Sequence, residues 1–320
     1  MWQYIFFLSI IIPAVLWQYY VLSLRQMEST TAGIVRMRDV RFNPELFRNY
    51  LSGTVLDELL CSYKGLPKGV NYMVIGDPGV GKTTIILDLL SNIRQFNPSV
   101  RVLFISAEMN EIDLAIYVQR FPKFQDLDIL FIEAGFDEDE PAHNFEKVKD
   151  VLKQGWDIVA VDSFYELQGI IKEEEGITLK KAESMLLSLV KRQNKAVNDA
   201  GINTTFLTIQ QVTKSGHFIG SNRLKHSITA MMELRLENPK NIYSDRYVVF
   251  SKHRRGDVGV KLYYDLSVTG DVYYNKEKYL QDRQLRKLQS TAASSLRKFA
   301  DRFDLIFNNA SNNQNNNSNE

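Results

Sequence analysis

The feature that most constrains the fold of this 320-residue chain is a glycine-rich loop at residues 76–84. Its sequence, Gly-Asp-Pro-Gly-Val-Gly-Lys-Thr-Thr, fits the pattern G-x-x-x-x-G-K followed by serine or threonine. In that pattern glycines let backbone N–H groups surround phosphate oxygens, the lysine reaches the outer phosphates and the hydroxyl binds Mg²⁺. The apolar run before the loop predicts a strand, and the apolar periodicity after it predicts a helix. The predicted phosphate site comprises Gly76, Asp77, Pro78, Gly79, Val80, Gly81, Lys82, Thr83 and Thr84, with Thr83 as a metal ligand.

Apolar, β-branched runs alternate with helical patterns through the middle of the chain. Predicted strands occupy residues 72–75, 100–105, 129–132, 158–161 and 204–209, and predicted helices occupy 83–96, 111–120, 145–154 and 179–200. Such alternation is typical of parallel strands joined by helices that cover both faces of a sheet. Later runs at 230–236, 247–251 and 260–264 have short, turn-like links, which indicates antiparallel strands. The predicted class is α/β, with a mostly parallel central sheet flanked by helices and antiparallel strands at its C-terminal edge.

Two carboxylates follow predicted strands that should end beside the glycine-rich loop. Asp162 ends the run Ile-Val-Ala-Val-Asp, where a carboxylate can hold Mg²⁺, although an Asp before Ser163 is also a good helix N-cap. Glu108 follows the strand pattern at 102–107, and open parallel sheets bind ligands at the carboxyl ends of their strands. A carboxylate there can orient and deprotonate an attacking water, and a solvated loop charge is the alternative.

The net charge and the cysteine count exclude some kinds of partner and some kinds of structural site. The net charge of +1 gives no overall attraction to nucleic acid, so any basic surface must be local. Cys61 is the single cysteine, which excludes an internal disulfide and suits a reducing compartment without a structural zinc ion.

Both ends of the chain differ from its middle. Residues 1–26 form a hydrophobic segment, and its uncharged run over 4–24 has the length of a transmembrane helix. Arginines follow that run, so the positive-inside rule predicts a single-pass anchor with the rest of the chain facing the cytoplasm. The alternatives are a buried core helix, or translation from Met27, which predicts a cytoplasmic protein. After a core of residues 27–275, residues 276–307 predict a basic amphipathic helical segment and 308–320 an Asn-rich, disordered tail.

Several of these motifs together resemble the RecA-like ATPases of the RadA (Sms) and DnaB type. Residues 53–60 and 65–69 resemble the lead-in to their phosphate loop, and residues 104–108 resemble the strand that ends in their catalytic glutamate. Residues 211–216, Gly220 and residues 223–226 are similar to the RadA stretch after the fourth core strand, and residues 252–256 to its Lys-Asn-Arg-Phe-Gly motif. The resemblance covers about residues 50–265. The single cysteine excludes the RadA zinc finger, and too few residues follow for its Lon-protease-like domain.

The resemblance implies a RecA-like P-loop NTPase fold with ATP and Mg²⁺ as cofactors. It also implies a homo-oligomer, either a hexameric ring or a filament, with ATP between subunits. It gives Glu108 the activation of water and Gln211 the sensing of the γ-phosphate. Lys252 and Arg254 match the basic residues that reach a neighbour's γ-phosphate, and a solvated hairpin is the alternative for that cluster.

The same resemblance implies that residues 212–222, together with Arg223 and Lys225, contact single-stranded DNA. A plain surface loop is the alternative. The sequence thus predicts an ATP-driven motor on single-stranded DNA, used in recombination, repair or replication. The competing hypothesis is a membrane-tethered, KaiC-like regulatory or scaffolding ATPase that does not bind DNA.

Overall fold

A computed structural model describes residues 35–41, 43–132, 143–210 and 221–316, and their side chains apart from those of Asn222 and residues 300–316. The chain divides into two compact units, residues 1–45 and 46–320. Within the first unit, the described residues form a 3-10 helix at Met37–Asp39. A second 3-10 helix, Pro44–Phe47, spans the boundary, and all further elements belong to the second unit.

The second unit alternates strands and helices, as the sequence predicted. Its strands are β1 (Asn71–Gly76), β2 (Val102–Ser106), β3 (Asp128–Phe131), β4 (Ile158–Asp162), β5 (Thr205–Ile209), β6 (Ala230–Leu236), β7 (Arg246–His253), β8 (Leu262–Leu266) and β9 (Val272–Tyr274). Its helices are α1 (Leu56–Leu60), α2 (Lys82–Phe96), α3 (Glu111–Arg120), α4 (Asn144–Lys153), α5 (Phe164–Glu174), α6 (Leu179–Asn194), α7 (Asn222–Ser227) and α8 (Lys276–Asn316).

The strands of the described residues form one nine-stranded sheet in the order β3-β2-β4-β5-β1-β6-β7-β8-β9. Neighbours from β3 to β6 are parallel, and β6, β7, β8 and β9 follow one another as antiparallel neighbours. The predicted α/β class, with antiparallel strands at the C-terminal edge, is therefore confirmed. In the register, Ser106 of β2 lies beside Asp162 of β4. The carboxyl ends of β1, β2, β4 and β5 consequently meet at one edge of the sheet.

The central strands are buried on both faces, and alternate residues enter different cores. Tyr72 and Val74 of β1 pack in one hydrophobic cluster, with the apolar side of α2. Met73 and Ile75 pack in a second cluster, with α4, α5 and α6. This division follows from the two-residue repeat of a strand, because successive side chains point to opposite faces. It also explains why these strands are continuous apolar runs in the sequence.

Helix α2 is the element that carries the glycine-rich loop into the core. Ile85, Ile86, Leu89, Leu90 and Ile93 are buried, at the spacing of one helical face. Each such side chain stabilises the fold by about 2 kcal/mol when it is removed from water. The helix ends at Phe96, where the backbone N–H of Asn97 bonds to Ile93 and the next residue is Pro98. The start of α2 is thus held rigidly by its own buried face.

The C-terminal helix α8 packs on the body through its first turns. Tyr279 is buried, and the carboxylate of Asp282 accepts the backbone N–H of Lys261 and the side chain of Arg286. The structure continues this helix to Asn316, beyond the predicted segment 276–307 and into the predicted disordered tail. The physical reason is that an existing helix gains one hydrogen bond for each residue it adds, even in a weakly helical sequence. Residues 317–320 lie outside the described residues.

The predicted localisation, with a single-pass membrane anchor at residues 4–24, is wrong. Within the described ranges, no helix combines the length and the apolar character needed to span a bilayer. Residues 4–24, on which that prediction depended, lie outside the described residues. The structure therefore gives the anchor no support, and we withdraw it.

Candidate nucleotide-binding site

The glycine-rich loop connects β1 to α2 at the edge where the central strands end. Gly81, the N-cap of α2, has φ = 93°, a conformation that residues with a Cβ rarely adopt. A Cβ at this position would lie 2.5 Å from Cδ1 of Leu266, so the tip of that side chain would have to shift. Glycine is therefore favoured here chiefly by the backbone conformation. The loop can present backbone N–H groups to phosphate oxygens, as the motif predicts.

Lys82 lies inside this loop rather than in solvent. Its Nζ donates hydrogen bonds to the carbonyl oxygens of Gly76 and Asp77, at 2.9 and 3.1 Å. Burial lowers the pKa of Lys82, and the nearby carboxylates of Asp162 and Glu108 act in the opposite direction. The loop thus holds its ammonium group on its inner side, where phosphate groups would be bound.

Thr83 and Asp162 meet directly across the loop. The Thr83 hydroxyl donates a hydrogen bond of 2.5 Å to Oδ2 of Asp162, whose residue is 3% exposed. Burial raises the pKa of Asp162 to about 6; the Thr83 hydrogen bond and Lys82 lower it, and Glu108 raises it. A hydroxyl and a carboxylate are hard oxygen ligands, which suit Mg²⁺ completed by phosphate oxygens and water. Among the described residues, no group of three or more His, Cys, Asp or Glu side chains forms a separate metal cage.

Glu108 lies two residues beyond β2 and lines the same cavity, which has a volume of about 720 Å³. Its chain segment is fixed to β4, because the N–H of Ala107 donates to the carbonyl of Asp162 at 2.7 Å. The Ser106 hydroxyl also bonds to the carbonyl of Met109, which closes the turn around Glu108. The structure therefore brings Glu108, Asp162, Lys82 and Thr83 together, as the sequence predicted. Their catalytic roles stay predictions.

Another wall of the cavity comes from residues that the sequence patterns did not select. They are Tyr117, Arg120 and Phe121 at the end of α3, Arg246 of β7, and Leu266, Ser267 and Val268 at the β8–β9 turn. Thr84 of the loop is tied to this wall by a 2.7 Å hydrogen bond between its hydroxyl and that of Tyr117. No local motif marks these positions, because the wall forms only when α3, β7 and β8, which are distant in the sequence, come together in the fold.

The two basic residues predicted to act on a neighbour lie away from this cavity. Lys252 donates to the carbonyl of Lys225 at 2.6 Å, and Arg254 donates to the carbonyl of His226 at 3.0 Å. Both bonds connect the end of β7 to α7. Burial, followed by the charges of Arg254 and Lys225, lowers the pKa of Lys252. Neither residue lines the phosphate cavity of its own chain.

Gln211 and the predicted DNA-contacting residues 212–220 lie outside the described residues. Gln210, which the sequence analysis did not select, is fully buried immediately after β5. Beyond the undescribed segment, Ser221 caps α7 and bonds to Glu183 of α6. Arg223 donates to the Ser184 hydroxyl at 2.9 Å. The described residues on either side of 211–220 are thus fixed on the body of the second unit.

Comparisons with known proteins identify the fold. No protein-family model matches the chain. Over 193 residues the chain is 26% identical to the DNA repair protein RadA of Mycolicibacterium smegmatis, a match that covers 59% of this chain. The matched part spans 38% of that RadA, well under half of its length.

Two solved archaeal structures resemble most of the chain. A KaiC-like protein from Pyrococcus horikoshii matches with a TM-score of 0.53 and 20% identity, covering 71% of this chain and 99% of that protein. The flagellar accessory protein FlaH from Methanocaldococcus jannaschii matches with a TM-score of 0.52 and 13% identity, covering 70% of this chain and 96% of FlaH. The chain has the RecA-like P-loop ATPase fold.

Proposed function

We propose that this chain binds ATP with Mg²⁺ and hydrolyses it, as a motor on single-stranded DNA in recombination, repair or replication. The observation that carries the hydrolytic part is the meeting of Thr83, Asp162 and Glu108 around the phosphate loop. A glycine-rich loop alone binds nucleotide, whereas the two carboxylates add a metal ligand and a base.

In the proposed reaction, the backbone of residues 76–84 and Lys82 hold the β- and γ-phosphates. Bound Mg²⁺ supplies charge neutralisation on the phosphate oxygens. Thr83 and Asp162 orient that ion, which requires Asp162 in its ionised form. Glu108 orients the attacking water and accepts its proton.

Lys252 and Arg254 are proposed to act on the site of a neighbouring subunit. They lie outside the cavity of their own chain, and each is held by a backbone carbonyl at the junction of β7 and α7. Their positive charges would stabilise the charge that develops on the γ-phosphate. In this proposal the chain works as a ring or filament with ATP at subunit interfaces, and Gln211 senses the γ-phosphate.

The DNA part of the proposal depends on the RadA likeness and on the basic residues around 212–225. Arg223 and Lys225 on α7 belong to the same element that contacts Lys252 and Arg254. A shift in that contact after hydrolysis would move residues 212–222, which are proposed to hold DNA phosphates.

A KaiC-like regulatory or scaffolding ATPase that does not bind DNA is the second candidate. The two archaeal structures favour this candidate, because their matches to this chain cover 99% and 96% of their own length. The near-neutral net charge also provides no general attraction to nucleic acid.

The rate of ATP hydrolysis with and without single-stranded DNA separates the two candidates. A motor is expected to hydrolyse ATP several times faster when DNA is present, with an effect that declines as salt is added. Thr83→Ala serves as the inactive control, because it removes the metal ligand and leaves the basic residues unchanged. Hydrolysis that ignores DNA at low salt would support the regulatory candidate, and no hydrolysis would exclude both.

A further inference from the structure

One side chain connects three elements that surround the proposed nucleotide cavity. Lys123, in a 3-10 helix just after α3, has its Nζ 2.5 Å from Asp88 of α2 and 2.9 Å from Asp271. Asp271 immediately precedes β9. The side chain of Asp88 is 2% exposed, that of Lys123 17% and that of Asp271 37%. One ammonium group is therefore shared between a buried carboxylate and a more accessible one.

The link to Asp88 fixes Lys123 on the helix that carries the phosphate loop. Asp88 also accepts a hydrogen bond from Asn92, at 2.9 Å, within α2. The Ser91 hydroxyl donates to the backbone carbonyl of Lys123, at 3.0 Å. Backbone and side chain of Lys123 are thus both attached to α2.

The link to Asp271 fixes the β8–β9 turn in the same way. The second carboxylate oxygen of Asp271 accepts the Thr269 hydroxyl at 2.8 Å, and its backbone N–H donates to the Ser267 hydroxyl at 2.8 Å. The hydrogen bond from Lys123, followed by that from Thr269, lowers the pKa of Asp271, which is therefore ionised at neutral pH. Since Leu266, Ser267 and Val268 line the cavity, Asp271 ties this wall of the cavity to Lys123.

Strand β8, which leads into the turn, also contacts the phosphate loop itself. Tyr264 of β8 donates its hydroxyl to the carbonyl of Val80 at 2.7 Å, and Leu266 lies against Gly81. The position of this wall relative to the phosphate loop is therefore fixed at two places: through β8 on one side and through Lys123 on the other.

We propose that Lys123 and Asp271 are positioning residues of the nucleotide site, whose ion pair holds the β8–β9 turn against bound nucleotide. This inference rests on the proposed function, because it requires the cavity to bind a nucleotide. Neither residue touches the phosphate loop or lines the cavity; they act through the turn. Loss of the pair leaves the chemistry at Glu108 and Asp162 intact but loosens one wall. Nucleotide affinity is thus expected to fall while the rate of the chemical step is kept.

Asp271→Asn tests the inference, since it removes the charge that pairs with Lys123 at the turn and keeps the buried pair of Lys123 with Asp88. The KM for ATP is expected to rise about fivefold, with kcat within about twofold of wild type, because a partly exposed ion pair contributes on the order of 1 kcal/mol. Asp271→Glu restores the charge and is expected to recover part of the affinity. Asp265→Asn, an exposed carboxylate on the same hairpin, is the matched control and is expected to leave KM unchanged.

Thermal denaturation of each variant separates positioning from general destabilisation. An Asp271→Asn protein with a lower melting temperature but an unchanged KM would overturn the inference, as would an equal rise in KM for Asp265→Asn. If wild type hydrolyses ATP while Asp271→Asn keeps its KM, only this inference fails. If wild type itself binds no nucleotide, the proposed function fails and the inference falls with it.

Discussion

The most specific prediction concerns Asp162. Its proposed role in metal binding requires an ionised carboxylate, and in the protein without metal this ionisation lowers the stability of the fold. Burial raises its pKa from an ordinary value of 3.8 to about 6. A carboxyl whose pKa is raised on folding adds stability below its unfolded pKa, and this contribution is lost as pH rises through the folded value. In the window from about pH 4 to pH 6, wild type therefore loses stability to the ionisation of Asp162.

The size of the effect follows from the shift. A change of about two units at about 1.4 kcal/mol per unit corresponds to about 3 kcal/mol of unfolding free energy. Asp162→Asn retains an oxygen that can accept the Thr83 hydroxyl, but it cannot ionise. Without nucleotide and metal, this variant is expected to be about 3 kcal/mol more stable than wild type at about pH 7.5. The difference is expected to vanish at about pH 4.

Urea denaturation in the presence of a chelator, at several pH values, measures this difference directly. Asp265→Asn, which makes the same substitution at an exposed carboxylate away from the site, is the control. The same Asp162→Asn protein is expected to lose Mg²⁺-dependent hydrolysis. A variant that is as stable as wild type, or less stable, at about pH 7.5 would refute the argument that ionisation of the buried Asp162 lowers the free energy of unfolding.

Three further predictions concern the chemistry and the loop. Glu108→Gln is expected to lower kcat at least about 100-fold while KM for ATP changes little, as steady-state kinetics will show, since only the base is lost. Combined Lys252→Ala and Arg254→Ala is expected to lower kcat on the order of 1,000-fold. Mixing that double variant with Glu108→Gln subunits should restore hydrolysis above the sum of the two, because mixed interfaces contain both intact halves. Gly81→Ala is expected to weaken nucleotide binding about tenfold, measured by titration, because its backbone has φ = 93°.

The predictions for Lys252 with Arg254 and for Gly81 each have a control or a refuting outcome. A mixture no more active than its separate components would mean that Lys252 and Arg254 do not act across a subunit interface. Gly169→Ala, within α5 and with nothing within 4 Å of its added Cβ, is the control for the loop glycine. It is expected to raise stability by about 1 kcal/mol without changing nucleotide affinity. Normal ATP affinity in Gly81→Ala would show that nucleotide binding does not require a glycine in the left-handed conformation at this position.

The sequence predicted the parts of the fold that are set by local patterns. The central strands are continuous apolar runs because they are buried on both faces, and each was located close to its observed bounds. The sequence could also predict that the glycine-rich loop, Asp162 and Glu108 lie close together, because parallel strands end at a common edge of the sheet. In contrast, helix α5 was missed, since Gly169 interrupts its apolar pattern.

The remaining features depend on contacts between distant parts of the chain. The predicted helix at 179–200 ends instead at Asn194, whose side chain donates to the carbonyl of Thr204 just before β5. The cavity wall at Leu266 to Val268 lies far along the chain from the phosphate loop. The link between Asp88, Lys123 and Asp271 likewise joins residues that no periodicity relates. Such positions become visible only in the folded structure.

The most direct test of the account is the rate of ATP hydrolysis by the wild-type chain as Mg²⁺ is titrated, with Lys82→Ala and Thr83→Ala alongside. Hydrolysis is expected to require Mg²⁺. Thr83→Ala is expected to abolish it through loss of a metal ligand, and Lys82→Ala through loss of phosphate binding. Wild-type protein that hydrolyses no ATP under any Mg²⁺ concentration, or variants that hydrolyse it as fast as wild type, would contradict the central claim.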